Sequence, residues 1–206
     1  MYRTYLKRIL DIIISFLGLV FLFPLMIFIA FVIKVDSPGE AIFKQKRLGV
    51  SQQEFIIYKF RTMVKNPYQI GGITSYEGDP RITRIGAFLR KTSLDETPQL
   101  INILKGDMSI IGPRPILKEE FDPFKSDQFF SKRYDVRPGL FCTVDIEHRA
   151  TAPREMQFEM DARYVDGISL LLDVQVFFKT FFTVIKQKNV YNCDAEASSR
   201  KKTAQL

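Results

Sequence analysis

Apolar and polar positions divide the chain into two unequal parts. Ile12 to Ile33 is an apolar run with no charged residue inside it. At about 1.5 Å per helical residue it is long enough to cross a bilayer core of roughly 30 Å. Pro24 sits near its middle and would remove one helical hydrogen bond, which predicts a kink. Asp36-Ser37-Pro38-Gly39 is a turn signal that closes this segment. Beyond it the pattern becomes mixed. Ala41–Lys44 and Glu54–Phe60 read as strands of a β-hairpin with a long loop through Leu48-Gly49-Val50-Ser51. Asn66 to Asp79, with Pro67, Gly71-Gly72 and Gly78, reads as a connecting loop or a lid. Leu100, Ile103 and Leu104 recur with helical period, and Gly106 supplies a C-terminal stop. Glu155–Val165 reads as a helix. Ser169–Lys188 reads as another, with Leu170, Leu171, Val174, Phe177, Phe178, Phe181, Val184 and Ile185 as a broad apolar stripe. Core packing is the default for that stripe, and an in-plane interfacial helix is the alternative. The tail from Asp194 is polar and charged and reads as disordered.

The pattern predicts an α+β chain, mainly α, with residues 1–36 as anchor, 37–190 as a catalytic domain and 191–206 as a tail. The anchor's topology follows from charge. Arg3, Lys7 and Arg8 precede the run, opposed only by Asp11, which favours a cytoplasmic N-terminus. The segment after Ile33 is also basic and has no secretion-type features. A helix that enters the bilayer, bends at Pro24 and returns satisfies both facts. A spanning helix that tolerates its proline is equally compatible with the residues alone.

The chain has 206 residues, a net charge of +7, 19 phenylalanines and no tryptophan. Such a charge points to an anionic partner: nucleic acid, an anionic lipid surface or a phosphorylated substrate. Cys142 and Cys193 lie too far apart for a CxxC pair, and nothing suggests a disulfide framework, which fits a reducing compartment. Glu119 to Tyr134 interleaves Phe121, Phe124, Phe129, Phe130 and Tyr134 with Lys125, Lys132 and Arg133. That pattern suits stacking on nucleic acid or a membrane interface, and the anchor favours the interface. His148, the single histidine, reads as a surface residue.

The densest candidate chemistry lies in Lys91–Pro115, KTSLDETPQLINILKGDMSIIGPRP. Asp95 and Glu96 are adjacent carboxylates. Ser93 to Glu96 fits a capping box, or Thr97 caps and Pro98 takes the first helical position. Either places both carboxylates at a helix N-terminus, where free N–H groups and the helix dipole favour negative charge. A capping box also explains the pair with no chemistry at all. Adjacent side chains do not share a helix face, so one carboxylate would attack while the other holds a divalent metal, Mg²⁺ by preference. Arg81, Arg84 and Arg90 recur at intervals that place them on one face as a phosphate clamp. Pro113-Arg114-Pro115 and Arg137-Pro138-Gly139 hold single arginines in rigid corners. Lys44, Lys46, Lys59 and Arg61 decorate the hairpin, and a solvated basic face is the plain reading of most of them.

These motifs in this order resemble the small monotopic phosphoglycosyl transferases, the bacterial sugar transferase family. The matching elements are KR-x-x-D (Lys7, Arg8, Asp11) before a Pro-containing membrane segment, YKFRTM (Tyr58–Met63), DPRITRIG (Asp79–Gly86), LRKTSLDETPQL, NILKGDMSIIGPRP and DVRPG (Asp135–Gly139). A weaker match is D-x-R-Y-V-x-x-I-S-L-x-x-D from Asp161 to Asp173. The resemblance implies a Pro-kinked re-entrant anchor with Lys7, Arg8, Ser15 and Pro24 as its residues. It also implies interfacial amphipathic helices around a domain on the cytoplasmic face of the bacterial inner membrane. It implies transfer of a sugar 1-phosphate from a UDP-sugar to polyprenyl (undecaprenyl) phosphate with release of UMP, the first membrane step of glycan assembly. Carried over, Asp95 is the nucleophile and forms a covalent phosphosugar. Glu96, with Asp95, holds Mg²⁺, and Arg90, Arg114, Arg81, Lys59, Arg137 and Arg149 bind phosphates or substrate. Membrane lipid is a partner, nucleic acid is not, and a homodimer is left open. The alternative is an inactive membrane-tethered partner of a glycan assembly complex. It rests on one departure. After RPG the family continues with I-T-G-x-x-Q and then G-R, whereas this chain has Leu140-Phe141-Cys142-Thr143-Val144-Asp145 and then Glu147-His148-Arg149, with Arg149 the candidate counterpart of the family arginine.

Overall fold

A computed structural model describes residues 2–70, 75, 76, 78–146, 148 and 152–185. The helices are α1 (Lys7–Asp36), α2 (Pro67–Ile70), α3 (Arg84–Thr92), α4 (Gln99–Lys105), α5 (Lys118–Phe121), α6 (Gln128–Ser131), α7 (Arg154–Asp166) and α8 (Leu170–Ile185). The strands are β1 (Ile42–Leu48), β2 (Glu54–Phe60), β3 (Ser109–Ile111) and β4 (Gly139–Phe141). The chain is mainly helical, as its pattern predicts.

A π-helical turn, Tyr2–Leu6, leads into α1, which continues through Pro24 as one element. The sequence shows no amphipathic face here, yet the helix has one. Asp11, Ser15, Ile29 and Ile33 are buried, while Phe16, Phe21, Phe23, Phe28 and Phe31 are exposed. The protein-facing stripe is polar at its start and apolar at its end, so it carries no hydrophobic period. Asp11 Oδ1 accepts from Ser109 Oγ at 3.0 Å and from the Ile110 backbone N–H at 2.9 Å. Gly18 lets α4 approach, since a Cβ there would lie 3.2 Å from Leu100. Ile29 and Ile33 pack with Ala41, Phe60 and Leu89.

The hairpin pairs β1 with β2 antiparallel, from Ile42↔Phe60 to Leu48↔Glu54. Its first strand runs to Leu48 rather than ending at Lys44, because Gln45, Lys46 and Arg47 complete the ladder despite their polarity. The return needs positive φ at Ser51 and Gln52. β3 and β4, which no hydrophobic run announces, form a short parallel pair with Ser109↔Gly139 and Ile111↔Phe141. This pair joins the two proline corners. Gly112 N–H donates to Phe141 O and Gly139 N–H to Pro113 O. A Cβ on Gly139 would lie 2.1 Å from Gly112 N, so only glycine permits the approach.

Most aromatics of the aromatic-basic stretch turn inward. Phe121, Tyr134 and Phe158 are buried together with Phe124 and Phe130 packed against them, edge to face, and Phe129 alone of this set is exposed. Spacing could not anticipate Phe158 of α7 arriving from outside the stretch. Most of the predicted α8 stripe faces outward rather than into the core. Val176 and Phe177 join the core, while Leu171, Val174, Phe178, Phe181 and Phe182 face outward.

Candidate active site

Asp95 and Glu96 lie in a 3-10 turn, Leu94–Glu96, wedged between α3 and α4. Neither predicted cap forms. Ser93 takes the left-handed conformation (φ 56°) that ends α3, and Thr97 and Pro98 already have helical angles. The turn is therefore a corner between the two helices.

The corner is fixed by β2. Asn102 of α4 is fully buried. It accepts from Tyr58 N–H at 3.0 Å and donates to Ile56 O at 2.7 Å, completing the edge of β2 as a neighbouring strand would. β2 then delivers Lys59, whose Nζ donates to Glu96 Oε1 at 2.6 Å. Arg90, in the last turn of α3, donates to Thr62 Oγ1 and Ser75 Oγ, both at 2.8 Å. Thr62 is reached because Gly86 lies against its backbone: a Cβ on Gly86 would sit 2.0 Å from Thr62 O. The YKFRTM and DPRITRIG segments are thus packing partners, bridged at Met63↔Ile82.

Burial first, then the neighbouring Glu96, push the Asp95 carboxyl up to about 6, and Lys59 and Arg90 oppose the rise. Asp95 therefore stands ionised near neutrality but close to its titration. Arg114, between its two prolines, sends Nη1 to Asp145 Oδ1 at 2.7 Å. Asp145 raises the Arg114 pKa above its ordinary value, and Glu96 adds to the rise. Arg133 Nη2 donates to Arg114 O at 2.5 Å and lies 2.9 Å from Asp161, with both side chains of that pair buried.

Lys59, Arg90 and Arg114 thus converge on the acidic pair. The other candidate cations lie elsewhere. Arg81 is buried and directs its guanidinium to Asp79 and Pro67 O. Arg84 is exposed at the start of α3, so the three arginines do not share a face. Arg137 donates to Gly106 O at 2.7 Å, at the opposite end of α4 from Glu96. It shares that helix terminus with Arg8, which donates to Ile103 O and Leu104 O. Cations complement a helix C-terminus, which accounts for both. Arg149 lies outside the described residues, as do Gly71 and Gly72. Of the anchor residues, Lys7 Nζ meets Asp173 Oδ2 at 2.6 Å, and Ser15 is fully buried against the domain.

Asn102 and Asp145, which spacing did not single out, are partners rather than actors, as are Asp161 and Asp173, the ends of the weaker motif. A buried polar residue inside an apolar helix, as Asn102 is in QLINILK, was the available signal. Among the described residues no cluster of three metal-ligating side chains exists. Two hard carboxylates suit Mg²⁺ all the same, because that ion takes one or two carboxylates and completes its shell with phosphate oxygens and water.

Comparison with known proteins places the chain in a family. The family model described as bacterial sugar transferase matches residues 2–187. The chain is 40% identical over 186 residues to a UDP-N-acetylgalactosamine-undecaprenyl-phosphate N-acetylgalactosaminephosphotransferase of Aeromonas hydrophila, covering 88% of this chain and 44% of that protein. It is 36% identical over 191 residues to a UDP-glucose:undecaprenyl-phosphate glucose-1-phosphate transferase of Klebsiella pneumoniae, covering 90% and 41%. It is 36% identical over 190 residues to the exopolysaccharide production protein PSS of Rhizobium leguminosarum bv. phaseoli, covering 85% and 92%. The chain spans less than half the length of the first two relatives and nearly all of the third. With its motifs, its acidic corner and a match over most of its length, the chain belongs to the bacterial sugar transferase family.

Proposed function

We propose that this protein transfers a sugar 1-phosphate from a UDP-sugar to undecaprenyl phosphate, releasing UMP, at the cytoplasmic face of the bacterial inner membrane. The observation that carries the reading is the ionisable Asp95 beside Glu96, ringed by Lys59, Arg90 and Arg114. Asp95 attacks the β-phosphorus of the donor. A bond forms from its carboxylate oxygen to phosphorus, the bridging P–O bond breaks, and UMP leaves. An oxygen of the acceptor phosphate then attacks the same phosphorus, expelling Asp95 as carboxylate. Arg90 and Arg114 hold the phosphoryl oxygens, and Lys59 holds Glu96 in place. Mg²⁺ bound by Glu96, with Asp95 beside it, would supply neutralisation of the developing phosphate charge.

The docking of α1 supports a re-entrant rather than a spanning anchor. One of its ends runs into the hairpin, and the other is tied to Asp173 and to the end of α4. Both ends therefore pack on the same domain, which a span that put a bilayer core of about 30 Å between them would not allow. The exposed apolar faces of α1 and α8 then both meet lipid, which sets the acidic corner near the headgroups where the acceptor phosphate lies.

The test is UMP release by the detergent-solubilised full chain with Mg²⁺, undecaprenyl phosphate and a panel of UDP-sugars, beside Asp95→Asn and Glu96→Gln. Release that disappears in Asp95→Asn supports the reading. Release that survives in Asp95→Asn refutes the nucleophile, and none with any donor refutes the activity.

A further inference from the structure

The segment in which this chain departs from the family pattern supplies the Arg114 guanidinium with its partner. Residues 143–146 form a 3-10 turn, in which Asp145 N–H donates to Cys142 O. The turn is pinned from outside, because Ile146 O accepts from Thr183 Oγ1 of α8 at 2.8 Å. Asp145 is therefore a buried, fixed carboxylate, its side chain 8% exposed, whereas the Arg114 side chain is 32% exposed. Main-chain constraints fix only the root of Arg114: Pro113 and Pro115 on either side, and the Arg133 bond to its carbonyl. The flexible stem and the charged head need a separate restraint, and Asp145 provides it at 2.7 Å. One carboxylate oxygen engages one terminal nitrogen of a group with five N–H donors, so capacity for phosphate remains.

We propose that Asp145 is a positioning residue that holds the Arg114 guanidinium toward the acidic corner, so that donor phosphate oxygens meet a preset cation. The inference rests on the proposed transferase activity. A fixed cation stabilises transition-state charge without reorganising, and an untethered one does not. A salt bridge retained for stability alone would be a weak reason for the pair, since such pairs often add little.

The test is a double-mutant cycle on the full chain in detergent, with Arg114→Ala, Asp145→Ala and the double variant. Two readouts are taken: kcat/KM for UMP release, and affinity for inorganic pyrophosphate by calorimetry. Each single variant is expected to lose about 30- to 100-fold in kcat/KM, in the range of removing one preorganised donor. The double variant is expected within about threefold of Arg114→Ala, because the two act as one unit. Asp145→Asn, which keeps an acceptor oxygen, is expected to recover to within about tenfold of the parent. Losses that multiply in the double variant, or Asp145→Ala with parental turnover, overturn the inference. Should Asp145→Ala lose its melting transition, the same cycle is run with Asp145→Asn. Should the parent release no UMP, the activity is refuted and the pyrophosphate cycle alone decides the coupling.

Discussion

Lys59 and Glu96 meet at 2.6 Å although they lie 37 positions apart in the chain. The hairpin brings one and the corner between α3 and α4 brings the other. The contact ties the charge of the site to the packing of β2 on α4. Lys59 lowers the Asp95 pKa. Lys59→Met is therefore expected to move the acid limb of the pH–rate profile upward, and to cut kcat/KM at pH 7 by about tenfold through the less ionised nucleophile. A limb that stays in place would show that Lys59 acts on stability alone.

Activity in the parent is expected to fall about tenfold per pH unit below the Asp95 value of about 6. Stability runs the other way. The folded pKa lies above the ordinary carboxylate value near 4, so the folded state keeps the proton to higher pH. Stability from this group is full below about pH 4 and is lost as pH rises towards about 6. Asp95→Asn is thus expected to match the parent in acid and to melt about 3 °C higher at pH 7. A melting difference independent of pH would contradict the raised value.

Gly139→Ala would set a methyl 2.1 Å from Gly112 N and part the two proline corners. The expected cost is about 2–3 kcal/mol in stability, with loss of UMP release as Arg114 shifts. Unaltered melting would mean that the corners are not held by this contact.

Asp173 accepts from Tyr2 and Tyr164 as well as from Lys7, tying the start of the membrane helix to α7 and α8. Asp173→Ala leaves the half-buried Lys7 charge without that carboxylate, at an expected cost of about 3–5 kcal/mol. Lys7→Met combined with Asp173→Leu is expected to cost less than either change alone, read as melting temperature in detergent. Additive losses would show that the two do not act as a pair.

Topology has its own measurement. Tyr5→Cys and Lys44→Cys are both expected to react with a membrane-impermeant thiol reagent in inside-out vesicles and not in right-side-out cells. The background is Cys142→Ser with Cys193→Ser. Opposite sidedness of the two positions would make α1 a spanning helix.

The sequence alone determined the elements whose cause is local. The uncharged run fixed α1, period and alternation fixed α7, α8 and the hairpin, and Gly106, at φ 96°, ended α4 where expected. It also brought Asp95, Glu96, Arg90 and Arg114 forward, because adjacent carboxylates and proline-locked arginines are visible as spacing. What it could not decide depends on contacts between distant segments. Ser93 reads as a cap until α3 is seen to end on it. That Arg137 meets the end of α4 and Arg81 meets Asp79 is invisible in their spacing. The aromatic stretch reads as a membrane face until Phe158 closes a core over it. In each case the side chain has more than one satisfactory partner in principle. Burial, which is a property of the assembled chain, decides which of them it meets.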